Sequence, residues 1–190
     1  MDEELRSLTE RLRGESGASA VYDRLVATED ADELAAALTE PGQPLWAREL
    51  VAFRLGAAGD RRAFEALVLF LNHREPQRCA SAACALARLD DPRTSRAAAA
   101  LATNELRVAY ALHPVRLLAE LRAPEAVPAL ITTLERRLRP HDPHRRVALA
   151  CVDGLGALGD VRARPVLTEA LAHPALAEAA VRALARLPKT

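Results

Sequence analysis

Aromatic side chains are nearly missing. Three Phe, two Tyr and one Trp make up 3% of 190 residues. Any core must therefore be aliphatic, and the scarcity of Ile, Tyr, Phe and Trp argues against a fold built from strands. A charge excess is missing too: 26 basic side chains balance 26 acidic ones. Phosphate contacts dominate nucleic-acid affinity, so a dedicated nucleic-acid binder usually shows a basic excess. No apolar run approaches the ~20 residues that a membrane-spanning helix needs. The start, MDEELRSLTERLR, has no apolar stretch of the kind a secretory leader carries, so no leader is expected. The three cysteines (Cys79, Cys84, Cys151) are an odd number without a CxxC pair, which fits a reduced, cytoplasmic setting. Lysine occurs once, at Lys189, beside abundant Arg and Ala. That bias suggests a GC-rich, bacterial coding sequence.

What is present is helix text. Half of the residues are hydrophobic and 27% are charged. Ala and Leu dominate, and both lose little side-chain freedom in a helix. An all-α fold follows, with length for one compact domain or one short repeat array.

The line LGALGDVRARPVL, from Leu155, is written earlier as LGAAGDRRAFEAL, from Leu55, with eight of thirteen positions identical. LARLDDPRTSRAA from Leu86 and LAELRAPEAVPAL from Leu118 are further copies, and LARLPKT from Leu184 is a truncated one. The starts lie 31, 32, 37 and 29 residues apart. Each unit reads as two helices. The first ends on the anchor leucine, preceded at helical spacing by Val51, Ala82, Cys151 or Ala180. Gly59 and Gly159 suit the φ > 0 position after a helix end. Asp60, Asp91 and Asp160 stand where the second helix needs an N-cap. Leucines four apart follow: Leu67 and Leu71, Leu130 and Leu134, Leu167 and Leu171. Pro128 and Pro165 lie in the first turn, where a missing N–H costs little. The second copy has Ala98 in place of a leucine. One such pair cannot cover its own apolar faces, so units of this kind occur in series.

The pattern L-G-x-x-G-D-x-R-A-x-P-x-L, met almost fully at Leu155–Leu167, resembles the short HEAT-like repeat found in the phycobilin-lyase superfamily. The resemblance covers about residues 44–187. It implies an all-α, right-handed α-solenoid of stacked antiparallel helix pairs, five to six in number, with first helices convex and second helices concave. Tetratricopeptide and ankyrin signatures are absent.

Two regions are expected. Residues 1–43 form an acidic helical cap or degenerate leading repeat, and 44–190 form the array with anchors Leu55, Leu86, Leu118, Leu155 and Leu184. Within 1–43, EELRSLTERLR reads as an amphipathic helix. SAVYDRLVAT and DADELAAALTE read as a helix pair. Residues 1–40 hold eleven acids and four arginines, a balance of −7 that suits the polar outer face an array end needs, or a basic partner. EPGQP, from Glu40, breaks cap from array.

The candidate contact surface is ERRLRPHDPHRR, Glu135 to Arg146, where the unit spacing grows to 37. Insertions in repeat arrays map to loops on one face, often the binding face. Arg136, Arg137, Arg139, His141, His144, Arg145 and Arg146 are its binding candidates, because guanidinium forks grip carboxylates and phosphates. Arg96, Arg162 and Arg164 extend the set along the second helices, beside Arg62. Metal binding is not expected: Pro143 interrupts the His-Asp-Pro-His run, and a second ligand pair is missing. The resemblance includes iron-binding HEAT-repeat enzymes with His-Glu dipeptides, but this sequence has none. The cysteines read as packing groups. His113-Pro114 reads as a kink in the first helix of the third unit. Trp46 reads as cover for the seam between cap and array.

The favoured function is noncatalytic: a cytoplasmic adaptor or scaffold that holds a protein partner, without cofactor or metal. Two competitors are similar in repeat architecture. One is a nucleic-acid binder like the alkylation-repair HEAT-like proteins, here without aromatic wedges. The other is a lyase or accessory factor of the phycobilin-lyase type, which would need an aromatic-lined ligand pocket.

Overall fold

A computed structural model describes residues 3–17 and 19–188; Lys189 and Thr190, the end of the truncated copy, lie outside it. The helices are α1 (Glu3–Ser16), α2 (Ala20–Ala27), α3 (Ala31–Thr39), α4 (Leu45–Ala57), α5 (Phe64–Leu71), α6 (Pro76–Leu89), α7 (Thr94–Ala102), α8 (Leu112–Leu121), α9 (Ala126–Arg137), α10 (Arg145–Leu158), α11 (Arg164–Ala170) and α12 (Ala177–Arg186). Short 3₁₀ turns stand at Arg61–Ala63, Glu105–Tyr110 and Val161–Ala163. No strand occurs among the described residues. By contact, the chain falls into two units, Met1–Thr94 and Ser95–Thr190.

In the first unit, α4 packs against α1, α2, α3, α5 and α6. The first helices α2, α4 and α6 lie in succession, and α1 rests on α4 and α6. In the second unit, α10 packs against α8, α9 and α12, and α9 meets α11. Anchors Leu55, Leu86, Leu118 and Leu155 are all buried, as are Leu67, Leu71, Leu130, Leu134 and Leu167. Truncating one to Ala should cost about 2–5 kcal/mol.

Two expected core leucines are not core. Leu184 is only half-buried, since α12 has α10 as its first-helix neighbour on one side only among the described residues. Leu171, which follows the end of α11, is exposed.

The position four residues after the anchor is left-handed in four copies: Gly59 (φ 79°), Asp90 (φ 51°), Arg122 (φ 52°) and Gly159 (φ 69°). The turn thus persists where its glycine is lost, at the steric cost a Cβ brings there. Asp60 and Asp160 do cap, but they cap a 3₁₀ turn, each accepting the N–H two residues on. The second helix starts only after that turn, at Phe64 and Arg164. The kink expected at His113-Pro114 is instead a helix start. Residues 105–110 wind as 3₁₀ around a non-helical Arg107, and Pro114 falls in the first turn of α8.

At three crossings of neighbouring first helices, one methyl group stands between the two backbones. A Cβ on Gly56 would stand 3.2 Å from Ala85 Cβ, and one on Gly156 would stand 2.7 Å from Ala183 Cβ. Between α8 and α10 the roles reverse: a Cβ on Gly154 would lie 3.0 Å from Ala119 Cβ. In each crossing, the residue after one anchor meets the residue before the next, and one of the two is glycine. Side chains of any size there would hold the helices apart.

Candidate functional site

Several arginines of the repeat turns reach toward the neighbouring repeat. In each GDxR-type turn the Asp accepts both the backbone N–H and the guanidinium of the Arg two residues on: Asp60 with Arg62, Asp91 with Arg93, Asp160 with Arg162. Hydrogen bonding from Arg93 holds the Asp91 carboxyl down to about 2. Arg62 and Arg162 do the same, in direction, for Asp60 and Asp160. The guanidinium then reaches one repeat away. Arg62 pairs with Asp32 at 2.7 Å, and Arg93 pairs with Glu65 at 3.1 Å while lying 3.9 Å over the Phe64 ring. Arg96 meets Glu125 at 3.5 Å, and Arg164 donates to the Pro188 carbonyl at 2.6 Å. Arg162 stays exposed beyond its own turn.

The Arg-rich segment divides in the same way. Arg136 donates to the Thr103 carbonyl at 2.8 Å and to Glu105 at 3.3 Å. Arg137, with a side chain 6% exposed, bridges Glu105 and Asp142, each at 3.0 Å. Asp142 also accepts the His144 N–H at 2.8 Å, and His141 takes a left-handed backbone at φ 63°. The loop is therefore tied to α9 and to the 3₁₀ turn before α8. Its outward groups are Arg139, His141, Arg145 and Arg146; His144 is half-buried. Arg145 makes one long hydrogen bond, 3.5 Å, to the Ala175 carbonyl. Among the described residues, no group of three or more His, Cys, Asp or Glu is placed to hold a metal.

Sequence reasoning missed a buried charge cluster in the first unit. Glu49 of α4, 2% exposed, accepts from Arg11 of α1 at 2.5 Å, from Ser81 of α6 at 2.7 Å, and from Arg78 of α6. Arg78 also pairs with Glu15 of α1 at 2.6 Å and with Glu75 at 2.8 Å. Burial opposes the charge on Arg78, yet Glu15 and Glu49 outweigh it and hold the guanidinium above its ordinary value. Arg88 of α6 meets Glu4 at 3.4 Å, and Leu8 and Leu12 bury the apolar side of α1. Part of the acidic character of residues 1–40 thus works inside the unit. The legible signal was one repeat of separation between opposite charges: 30 residues for Asp32 and Arg62, 29 for Glu49 and Arg78, 28 for Glu65 and Arg93, 32 for Glu105 and Arg137.

Trp46 stands where the sequence put it, beside the cap. Its ring lies 6.1 Å from that of Tyr22, whose hydroxyl donates to the Thr9 carbonyl at 2.6 Å. None of the three cysteines is in a disulfide, and burial pushes the Cys151 thiol up to about 12 despite Arg137.

Two hollows lie along the first helices. One, of about 560 Å³, separates α1 from α6 and is floored by Phe53, Ala80, Ser81 and Cys84. The other, of about 330 Å³, runs between α8 and α10, with Arg116, Arg146, Leu149, Ala150 and Asp153 along it.

Residues 147–173, which run from α10 through its turn and α11, match the family model of the PBS lyase HEAT-like repeat. The chain carries a HEAT-like repeat, in agreement with its all-helical fold. No curated protein matches the chain.

Proposed function

We propose that this HEAT-like repeat protein is a noncatalytic scaffold: a right-handed solenoid of stacked antiparallel helix pairs that holds a partner protein by shape and arginine contacts. The observation that carries the reading is the preformed basic edge of the second unit. Arg139, His141, Arg145 and Arg146 face outward from a loop that Arg137 and Asp142 fix from within. A segment whose backbone is held in advance loses less freedom on contact, which favours binding. The titratable groups elsewhere support a binding role: the carboxylates of the repeat turns are engaged by arginines, and the Cys151 thiol is held far from thiolate formation. A cytoplasmic site of action suits cysteines outside any disulfide. Among the described residues, no helix is long and apolar enough to cross a membrane.

The test is affinity capture from the native host with the wild type and with Arg139→Ser/Arg145→Ser, which leaves Arg136, Arg137 and Arg146 intact. A partner held by the wild type should drop at least tenfold with the variant. Equal capture by both would refute the loop as contact surface. The same guanidiniums suit phosphate, so a gel shift at low salt decides the nucleic-acid alternative. A shift that disappears with rising salt would replace the protein partner with nucleic acid.

A further inference from the structure

We infer that the groove between α8 and α10 docks an acidic amphipathic helix of a partner protein, as the groove between α4 and α6 docks the chain's own α1. The two grooves occupy the same place on the repeat. Gln77, Ala80, Ser81 and Cys84 of α6 precede their anchor Leu86 by nine, six, five and two residues. Arg146, Leu149, Ala150 and Asp153 of α10 precede Leu155 by the same four offsets. Across the groove, Phe53 and Arg116 each stand two residues before their anchors on α4 and α8. In the first unit this surface carries a helix of 14 residues, α1, seated by Leu8 and Leu12 and clasped through Arg11, Glu15 and Glu49. A helix thus lies over this face of the first unit, with the hollow of about 560 Å³ left between α1 and α6.

The changed residues say which helix the second groove takes. Arg146 replaces Gln77 and Arg116 replaces Phe53, so two cations stand where the first groove has a neutral amide and a ring. Both are exposed, and neither is in an ion pair among the described residues. Burial, with repulsion from Arg116 and Arg146 added to it, pushes His113 below its ordinary value. Leu149 and Ala150 supply an apolar floor where Ala80 and Ser81 lie in the first groove. Asp153 is the one carboxylate along the hollow. An occupant with a leucine stripe and glutamates flanking it meets both needs, by apolar burial and by bidentate contact to guanidinium.

The inference rests on the scaffold reading and narrows its partner to a helix. The probe is a fluorescein-labelled, end-capped synthetic peptide of α1's length with a leucine stripe and flanking glutamates, titrated against the full chain by anisotropy. Saturable binding is expected, at least tenfold weaker with Arg116→Glu/Arg146→Glu. A peptide with lysine for glutamate should not bind. Ala157→Trp fills the groove without changing its charge, and circular dichroism confirms its fold; it too should lose the peptide. Absent binding, or binding unchanged in either variant, overturns the proposal. A dimer in sedimentation velocity that the double arginine variant dissolves would make the occupant a second copy, and overturns it as well. Peptide binding that survives Arg139→Ser/Arg145→Ser, which keeps Arg146 of the groove, alongside unchanged partner capture by that variant, would sink the loop and leave the groove standing.

Discussion

Replacing Glu49 by Gln removes the hub of the charge cluster beneath α1 while keeping its shape. The carboxylate is 2% exposed and receives Arg11, Arg78 and Ser81. Removing one partner of a buried ion pair costs about 3–5 kcal/mol, because the other charge stays buried without compensation. Here the remaining charges keep some support: Arg78 retains Glu15 and Glu75, and Arg11 retains Glu15 at 2.9 Å. The lower end applies, about 3 kcal/mol. For a chain of this size, ~1 kcal/mol moves Tm by roughly 2–4 °C, so a drop of about 6–12 °C is expected by calorimetry. Salt should change the difference little, since buried pairs are poorly screened. Hydrogen exchange should show α1 amides losing protection before those of α5 and α6, because α1 is held through this cluster as well as through Leu8 and Leu12. A loss under about 1 kcal/mol, the range of an exposed pair, would refute the argument that burial makes these contacts matter.

Other outcomes follow from the same geometry. Gly156→Ala should destabilise by about 1–3 kcal/mol through overpacking against Ala183, and Ala183→Gly in that background should recover part of the loss; two additive penalties would show that the helices do not meet there. Asp91 has its carboxyl held down to about 2 by Arg93, so its contribution is full above the ordinary Asp range near ~4 and is lost as pH falls through about 2. The urea-stability gap between wild type and Asp91→Asn should therefore close between those values, and a gap that stays constant to the acid end would contradict it. A disulfide reagent at pH 8 should modify Cys84, half-buried on a hollow, well before Cys151, whose thiol is pushed up to about 12; equal rates would show that α10 opens more readily than its packing implies.

The repeat frame was legible because it rests on local chemistry. The anchor leucines, the left-handed turn after them and the capping aspartates all act within a few residues of their own position, and the 147–173 stretch matches a repeat model. What misled the reading was distance along the chain. Arg137 looks like a surface cation until Glu105, 32 residues earlier, and Asp142 are seen to enclose it. Leu171 looks like core from its four-residue step after Leu167, yet it is exposed. The acidic stretch at the start looks solvated, yet Glu15 reaches 63 residues onward to Arg78. Of the contact candidates, Arg139, His141, Arg145 and Arg146 remain outward-facing, whereas Arg136 and Arg137 serve the fold.

The single methyl shared at three of the first-helix crossings constrains how such repeats can be recombined. Transplanting α10 beside a helix that carries alanine after its anchor would preserve the fit, because Gly154 leaves room for it. Transplanting it beside one that carries glycine would leave a void in place of a contact. At these three crossings exchange is therefore governed by a two-letter code read across the seam, and a duplication placed there that ignores it must be followed by a compensating change on the adjoining helix.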